Sequence, residues 1–273
     1  PPAAPMPAPA RDPAPASLRP VLRWIGAHVR GFHAAVGVFL SAGLALALAA
    51  LLAFAGIARL VGRGATQAAD EAALRWIAAR HSPALDTVAL QLTYLGATSV
   101  VAMTLLVAST LLWIARHRWS VALLWTAVLG NAALNTALKL AFARPRPTVF
   151  PYRISGIGES ASSFPSGHAM STVVVYGTLA YLVARLEPTR RMRHVTLAFA
   201  AVLVLAVGAS RLYLGVHYPS DVVAGYVAGF AWAATCALGV EAVRWFRGRR
   251  PGVEAEEAGL DGAPGPADPP PPA

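Results

Sequence analysis

His217 and Asp221 stand four residues apart in the stretch Ser210-Arg211-x5-His217-x3-Asp221. If a helix begins between them, the carboxylate reaches back to one imidazole nitrogen, fixes the tautomer and stabilises positive charge on the ring. The other ring nitrogen is then left to attack phosphorus as a nucleophile. Lys139, Arg146 and Arg211 supply three positive charges for a dianionic phosphate, and an arginine fork suits phosphate oxygens in pairs. Phe164-Pro165-Ser166-Gly167-His168 enters a helix through small, turn-forming residues. That puts the Ser166 hydroxyl and the backbone N–H groups from Gly167 onward at a helix N-terminus, where an anion is favoured. His168 remains to protonate the departing oxygen. Together these residues point to phosphoryl transfer.

A metal route fits the same residues poorly. Magnesium or calcium wants several oxygen ligands, and zinc three or four from Cys, His or carboxylate. Asp221, Asp70, Glu71, Asp86 and Glu159 are not spaced as ligands, and three cations repel a metal ion. The expectation is therefore a reaction with no metal and no cofactor.

The elements that must bring these residues together are apolar. The chain has 273 residues, 56% hydrophobic and only 13% charged, against about 25% charged in an ordinary soluble domain. Fifteen of the 22 prolines fall in residues 1–20 and 251–273, so the stretch between is greasier still. A water-soluble enzyme and a disordered protein are both excluded, and one cysteine, Cys236, rules out a disulfide scaffold. The net charge of +10 marks span ends rather than a nucleic-acid partner, because its arginines cluster in the connections between apolar runs.

Six such runs cover residues 34–58, 87–115, 119–138, 168–184, 194–212 and 221–240. A helix needs about 20 residues to cross the hydrocarbon layer, so the expected fold is all-α, an integral membrane bundle of six transmembrane helices. Residues 31–245 form that domain. Residues 1–30, a Pro/Ala-rich tail with a pre-membrane segment, and the acidic, Pro-rich residues 246–273 are expected to be disordered tails. Arginines 19, 23 and 30, then 116 and 118, then 185, 190, 191 and 193, and finally 244, 247, 249 and 250 fall in alternate connections. The positive-inside rule makes that face cytoplasmic, with both termini inside. In the opposite connection, 59–86, a helix is expected along the outer interface.

In an up-down bundle the end of span three, the start of four, the end of five and the start of six share one face, here the outer one. Lys139, Arg146, His168, Arg211, His217 and Asp221 therefore converge from distant segments. An ionisable residue at mid-bilayer costs about 2.5–3.5 kcal/mol, so each is a functional candidate. A lone lysine or arginine can instead snorkel from a helix end. Lys139, however, is the single lysine beside 22 arginines, an odd choice at an indifferent site. His28, His33, His81, His117 and His194 are read as solvated or interfacial, without a role.

Lys139-x6-Arg146-Pro147, Pro165-Ser166-Gly167-His168 and Ser210-Arg211-x5-His217-x3-Asp221 resemble the three-part signature of the type 2 phosphatidic acid phosphatase superfamily. The stretch from Leu85-Asp86 to Thr93-Tyr94-Leu95-Gly96 also looks like bacterial members. The resemblance implies a haloperoxidase-like helical core. It implies His217 as the nucleophile of a phosphohistidine, Asp221 as its orienting partner and His168 as general acid. It further implies Lys139, Arg146, Ser166, Gly167 and Arg211 as holders of the phosphate oxygens, without metal. Members usually act on lipid phosphates or diphosphates at the outer leaflet. Arg144-Pro145 directly precedes Arg146-Pro147, but only Arg146 has the six-residue spacing from Lys139.

The expected protein is thus a multi-pass plasma-membrane phosphatase, its partners the bilayer and a lipid phosphate. Undecaprenyl diphosphate, phosphatidic acid and phosphatidylglycerol phosphate are all eligible substrates. A lipid phosphotransferase using the same phosphohistidine is the alternative enzyme. A non-catalytic transporter with a basic vestibule gives no reason for the His217–Asp221 spacing, and six spans argue against a soluble haloperoxidase.

Overall fold

A computed structural model of the chain describes residues 19–149 and 162–247. Residues 1–18 and 248–273 of the two expected tails, and Glu159, lie outside the described residues. The described elements are all helical: α1 (Arg19–Gly62), α2 (Gln67–Ala78), α3 (Pro83–Tyr94), α4 (Thr98–Ile114), α5 (Arg118–Phe142), α6 (Gly167–Leu186), α7 (Arg190–Tyr213) and α8 (Pro219–Arg247). The chain divides into two units, Pro1–Ala42 and Gly43–Ala273. The first is described only as the opening turns of α1; everything that follows concerns the second.

Among the described residues, five helical stretches are long and apolar enough to span a membrane: Ser41–Gly62, Arg118–Phe142, Gly167–Leu186, Arg190–Tyr213 and Pro219–Val243. The run expected as one span over 87–115 is instead two helices, α3 and α4, bent by 48° and together counting as a sixth. The break has a local cause. Tyr176 on α6 donates its hydroxyl to the Leu95 carbonyl at 2.7 Å, which satisfies a backbone group freed by the bend. Gly96 makes the approach possible, since a Cβ there would lie 2.9 Å from both His168 Cδ2 and Val207 Cγ1.

Large side chains cover the outside of this unit, with Phe199 69% and Leu44 67% exposed. A water-soluble surface would not carry them so densely, and hydrocarbon is the solvent they suit. The chain is a membrane protein. Inside lipid, helix association rests on close packing rather than on expulsion of water. The most extensive contact is between α6 and α8, where Gly225-x3-Gly229 lets the backbones meet. A Cβ at Gly225 would lie 2.6 Å from the Ser166 carbonyl oxygen, and one at Gly229 2.7 Å from that of Met170. α6 also packs against α5 and α7, and so sits at the centre of the bundle.

The turn into α6 is anchored by aromatic packing. Phe164 is fully buried, with ring centroids 5.9 Å from Phe54 and 5.0 Å from Phe142. Such pairs contribute about 0.5–1.5 kcal/mol each beyond their area. At the far end of α5 the chain stops at Ala143, which adopts the left-handed conformation at φ 42°. Arg144-Pro145-Arg146-Pro147 cannot continue the helix, because each proline lacks an N–H and biases its predecessor away from helical angles.

Candidate active site

The segment 214–218 between α7 and α8 carries His217. α7 ends in a Schellman arrangement: Gly215 at φ 68° donates to the Leu212 carbonyl at 3.0 Å, and Val216 donates to that of Arg211 at 3.2 Å. α8 begins two residues after His217, with Pro219 at its first position. Asp221 closes this start, its Oδ2 accepting the Tyr218 N–H at 2.9 Å, as the third residue of a capping box does. His217 is held between two helix ends, with side-chain exposure of 2%.

Sequence spacing alone expects the Asp221 carboxylate to bond the His217 ring. The structure places the Ser163 carbonyl oxygen 2.8 Å from Nδ1, and Asp221 Oδ2 at 3.7 Å. A carbonyl only accepts, so the neutral ring carries its proton on Nδ1 and presents the Nε2 lone pair. Asp221 stands close enough to stabilise positive charge on the ring without itself making the short bond. Burial pushes the His217 pKa down from 6.5 to about 4, against the opposing pull of Asp221 and with added repulsion from Arg211 and Arg146.

That shift carries a stability consequence. Between pH 4 and 6.5 the unfolded chain binds a proton that folded His217 refuses, so this group's contribution to stability falls as pH drops through that window. Above pH 6.5 the contribution is constant. Thermal denaturation in detergent should show a midpoint that declines from pH 6.5 to 4, and a His217→Asn variant should show a flatter decline.

The other residues singled out from the sequence meet His217 at the same end of the bundle. Lys139 is in the last turn of α5, His168 in the first turn of α6, Arg211 in the last turn of α7 and Asp221 in the first turn of α8. His168 lies within Coulombic reach of Arg211, His217, Lys139 and Arg146, and Lys139 within reach of Arg146, Arg211 and Asp221. Arg211 is 3% exposed; its Nη1 donates to Thr93 Oγ1 at 2.6 Å, while its buried Nε meets no acceptor. Arg146 Nη1 donates to the Val216 carbonyl at 2.7 Å, one residue before the histidine.

Ser166 is the N-cap of α6, yet its side chain makes no capping bond and its buried Oγ has no protein partner. The first intrahelical bond runs from Met170 N–H to the Ser166 carbonyl, and Ser166 donates its own N–H to the Asp221 carbonyl at 2.9 Å. The unpaired hydroxyl and the open first turn of α6 form a candidate cradle for an oxyanion, and Lys139, Arg146 and Arg211 all act on His168 in that turn. Gly167 is packed closely on α5, since a Cβ there would lie 2.8 Å from Asn135 Nδ2. Among the described residues, no three His, Cys, Asp or Glu side chains are grouped as a metal site.

Three readings from the sequence need revision. Arg144, set aside as a register ambiguity, is buried behind Asp221 and bonds its Oδ1 at 2.7 Å. Asp70, named only among the carboxylates not spaced as metal ligands, is 5% exposed and pairs with Arg144 at 3.0 Å. His81 is not solvated: its side chain is 4% exposed, stacked on Tyr213 and 3.1 Å from Asp86. Only the doubled Arg-Pro of 144–147 hinted at the first; Asp70 and Thr93 had no signal. The helix expected in 59–86 is formed as α2, but it buries Asp70 and Leu74 and leaves Trp76 60% exposed.

Comparison with known proteins identifies relatives of the chain. The sequence pattern of the PAP2 superfamily matches residues 119–245. Phosphatidylglycerophosphatase B of Bacillus subtilis (strain 168) is 34% identical over 180 residues, covering 65% of this chain and 86% of that protein. Lipid A 1-phosphatase of Rhizobium etli is 34% identical over 117 residues, 41% of this chain and 46% of that one. The crystal structure of a transmembrane PAP2 type phosphatidylglycerolphosphate phosphatase from Bacillus subtilis superposes with a TM-score of 0.67 at 29% identity. It covers 72% of this chain and 96% of that chain.

Proposed function

Because the chain belongs to the PAP2 superfamily and is a phosphoric ester hydrolase acting on lipid phosphates, we propose that it works through a phosphohistidine on His217, without a metal. The observation that carries this reading is the unpaired Ser166 hydroxyl at the start of α6, two residues before His168, on which Lys139, Arg146, Arg211 and His217 all act.

The steps follow from the groups present. Lys139, Arg146 and Arg211 bind the nonbridging phosphate oxygens, with Ser166 and the N–H groups beginning at Gly167 filling the remaining acceptor sites. His217 Nε2 attacks phosphorus as the bond from phosphorus to the lipid oxygen breaks. Protonated His168 gives its proton to that oxygen, which leaves as an alcohol, or as a phosphate if the substrate is a diphosphate. His168, now neutral, takes a proton from water; the water oxygen bonds phosphorus, the N–P bond breaks and inorganic phosphate departs. Asp221 offsets the positive charge that His217 carries meanwhile, and the Ser163 carbonyl keeps the ring aimed.

The relative named phosphatidylglycerophosphatase B makes phosphatidylglycerol phosphate the first substrate to test. Phosphatidic acid and undecaprenyl diphosphate complete the panel. The arginine distribution supports both termini on the cytoplasmic side of the plasma membrane and the site at the outer leaflet. Purified protein in detergent should release phosphate from at least one of the three. EDTA should leave the rate essentially unchanged, and vanadate should inhibit by occupying the cradle as a five-coordinate mimic. Full loss of activity in EDTA, restored by a divalent ion, would overturn the metal-free step. Labelled phosphate appearing on an added lipid alcohol rather than in solution would favour the transferase.

A further inference from the structure

Behind Asp221, away from the cradle, lies a second buried ionic cluster. Arg144 donates from Nη1 to Asp221 Oδ1 at 2.7 Å and to Ser220 Oγ at 2.8 Å. From Nη2 it donates to Asp70 Oδ2 and to Gln67 Oε1, both at 3.0 Å. Asp70 in turn accepts the Ser220 N–H at 3.0 Å and its hydroxyl at 2.5 Å. The guanidinium lies 4.1 Å from the centre of the Tyr218 ring, whose hydroxyl accepts from Gln67. The Arg144 backbone takes part too: its carbonyl accepts the Ser163 N–H at 2.7 Å, and Ser163 is the residue whose carbonyl aims His217. Arg144, Asp70 and Asp221 are 9%, 5% and 0% exposed.

We propose that Arg144, with Asp70 of α2 as its counter-charge, is a positioning residue for the reaction: it fixes Asp221 and, through Ser163, the His217 ring. The inference rests on the reading of His217 as the nucleophile. Its charge logic is specific. One guanidinium placed only against Asp221 would cancel the carboxylate that His217 needs when it turns positive. Asp70 takes up the other edge of the guanidinium fork, so the three groups carry one net negative charge and Asp221 Oδ2 keeps its field toward the ring. Removing one member of such a buried set leaves an uncompensated charge, whereas removing two opposite charges relieves it. α2 is thereby coupled to the chemistry although none of its residues reaches the cradle.

The test uses full-length protein in detergent micelles with phosphatidic acid, phosphatidylglycerol phosphate and undecaprenyl diphosphate, following whichever is turned over, and with His217→Ala beside the new variants. Arg144→Gln should lower kcat about 100-fold while KM stays near that of the parent, since the phosphate-holding cations are untouched. Arg144→Lys, which keeps the charge but not the fork, should recover part of that loss and guards against a variant that does not fold. Asp70→Asn should lower kcat about 10-fold, again at constant KM. The double variant Asp70→Asn, Arg144→Gln should melt higher than Arg144→Gln alone yet stay as slow. The proposal is overturned if Arg144→Gln turns over at the parent rate, or if the double variant regains kcat together with its melting temperature, which marks a purely structural pair. An active His217→Ala instead overturns the nucleophile assignment. An inactive His217→Ala beside a fully active Arg144→Gln removes the positioning role alone.

Discussion

Replacing His217 with alanine should cut phosphate release at least about a thousandfold while leaving the helical content unchanged. Loss of a nucleophile removes the covalent route altogether, and the residual rate then reflects only binding and oxyanion contacts. The fold should survive because His217 sits in a connection already closed by the Gly215 turn and the Pro219 helix start. Its ring Nδ1 bonds a backbone carbonyl, that of Ser163 at 2.8 Å. Removing the imidazole also removes a group that resists protonation in the fold, so the low-pH loss of stability should shrink in parallel. A companion variant, His168→Ala, should still form the phosphoenzyme from a substrate with a good leaving group but discharge it slowly. Rapid quenching with labelled substrate should then show acid-labile label on the protein. A His217→Ala protein that keeps its parent rate would falsify the covalent mechanism, and label that survives acid would assign it to another residue.

The second large effect is expected at a residue with no side chain of its own. Gly225→Val should abolish activity and lower the melting temperature sharply, because the new Cβ would meet the Ser166 carbonyl oxygen at 2.6 Å and Ala169 Cβ at 3.0 Å. The first of these neighbours is backbone, so no rotamer change relieves the contact. Overpacking of this kind costs about 1–3 kcal/mol and occasionally more. Here the strain falls on the cradle itself. Ser166 is the N-cap of α6, donates its N–H to the Asp221 carbonyl and opens the helix on which His168 stands. Pushing α6 from α8 therefore moves Ser166 and His168 relative to His217 and Asp221. Gly239→Ala, with nothing within 4 Å of its added Cβ, is the control: turnover and melting temperature should match the parent. A Gly225→Val protein as stable and active as the parent would mean that the α6–α8 contact is looser than the geometry requires.

The six apolar runs were legible because hydropathy is a local sum and a bilayer demands about 20 residues of it. The break in the second run was not, since Leu95, Gly96 and Ala97 are all apolar and the sum does not register a 48° bend. It depends on Tyr176 accepting the role of a partner for the Leu95 carbonyl. The cradle was legible as residue types at helix ends, because alternation of an up-down bundle sends Lys139, His168, Arg211 and Asp221 to one rim. The orientation of His217 was not. Its spacing to Asp221 suggested a direct bond, while the chain supplies a nearer acceptor from Ser163, a residue with no distinguishing chemistry of its own.

By itself the sequence determined which residues are chemically able to hold and transfer a phosphate, how many helices carry them, and on which ends of those helices they stand. These are properties of single residues and of short windows, and membrane solvation leaves few other ways to arrange such windows. Tertiary structure alone decided which side chains pair. Arg144 and Arg146 are two residues apart and alike in type, yet one is locked behind Asp221 with Asp70 and the other bonds the Val216 carbonyl beside His217. The difference lies in what the fold brings against each: a buried charge needs its opposite within a few ångströms, and that opposite comes from a helix distant in the chain.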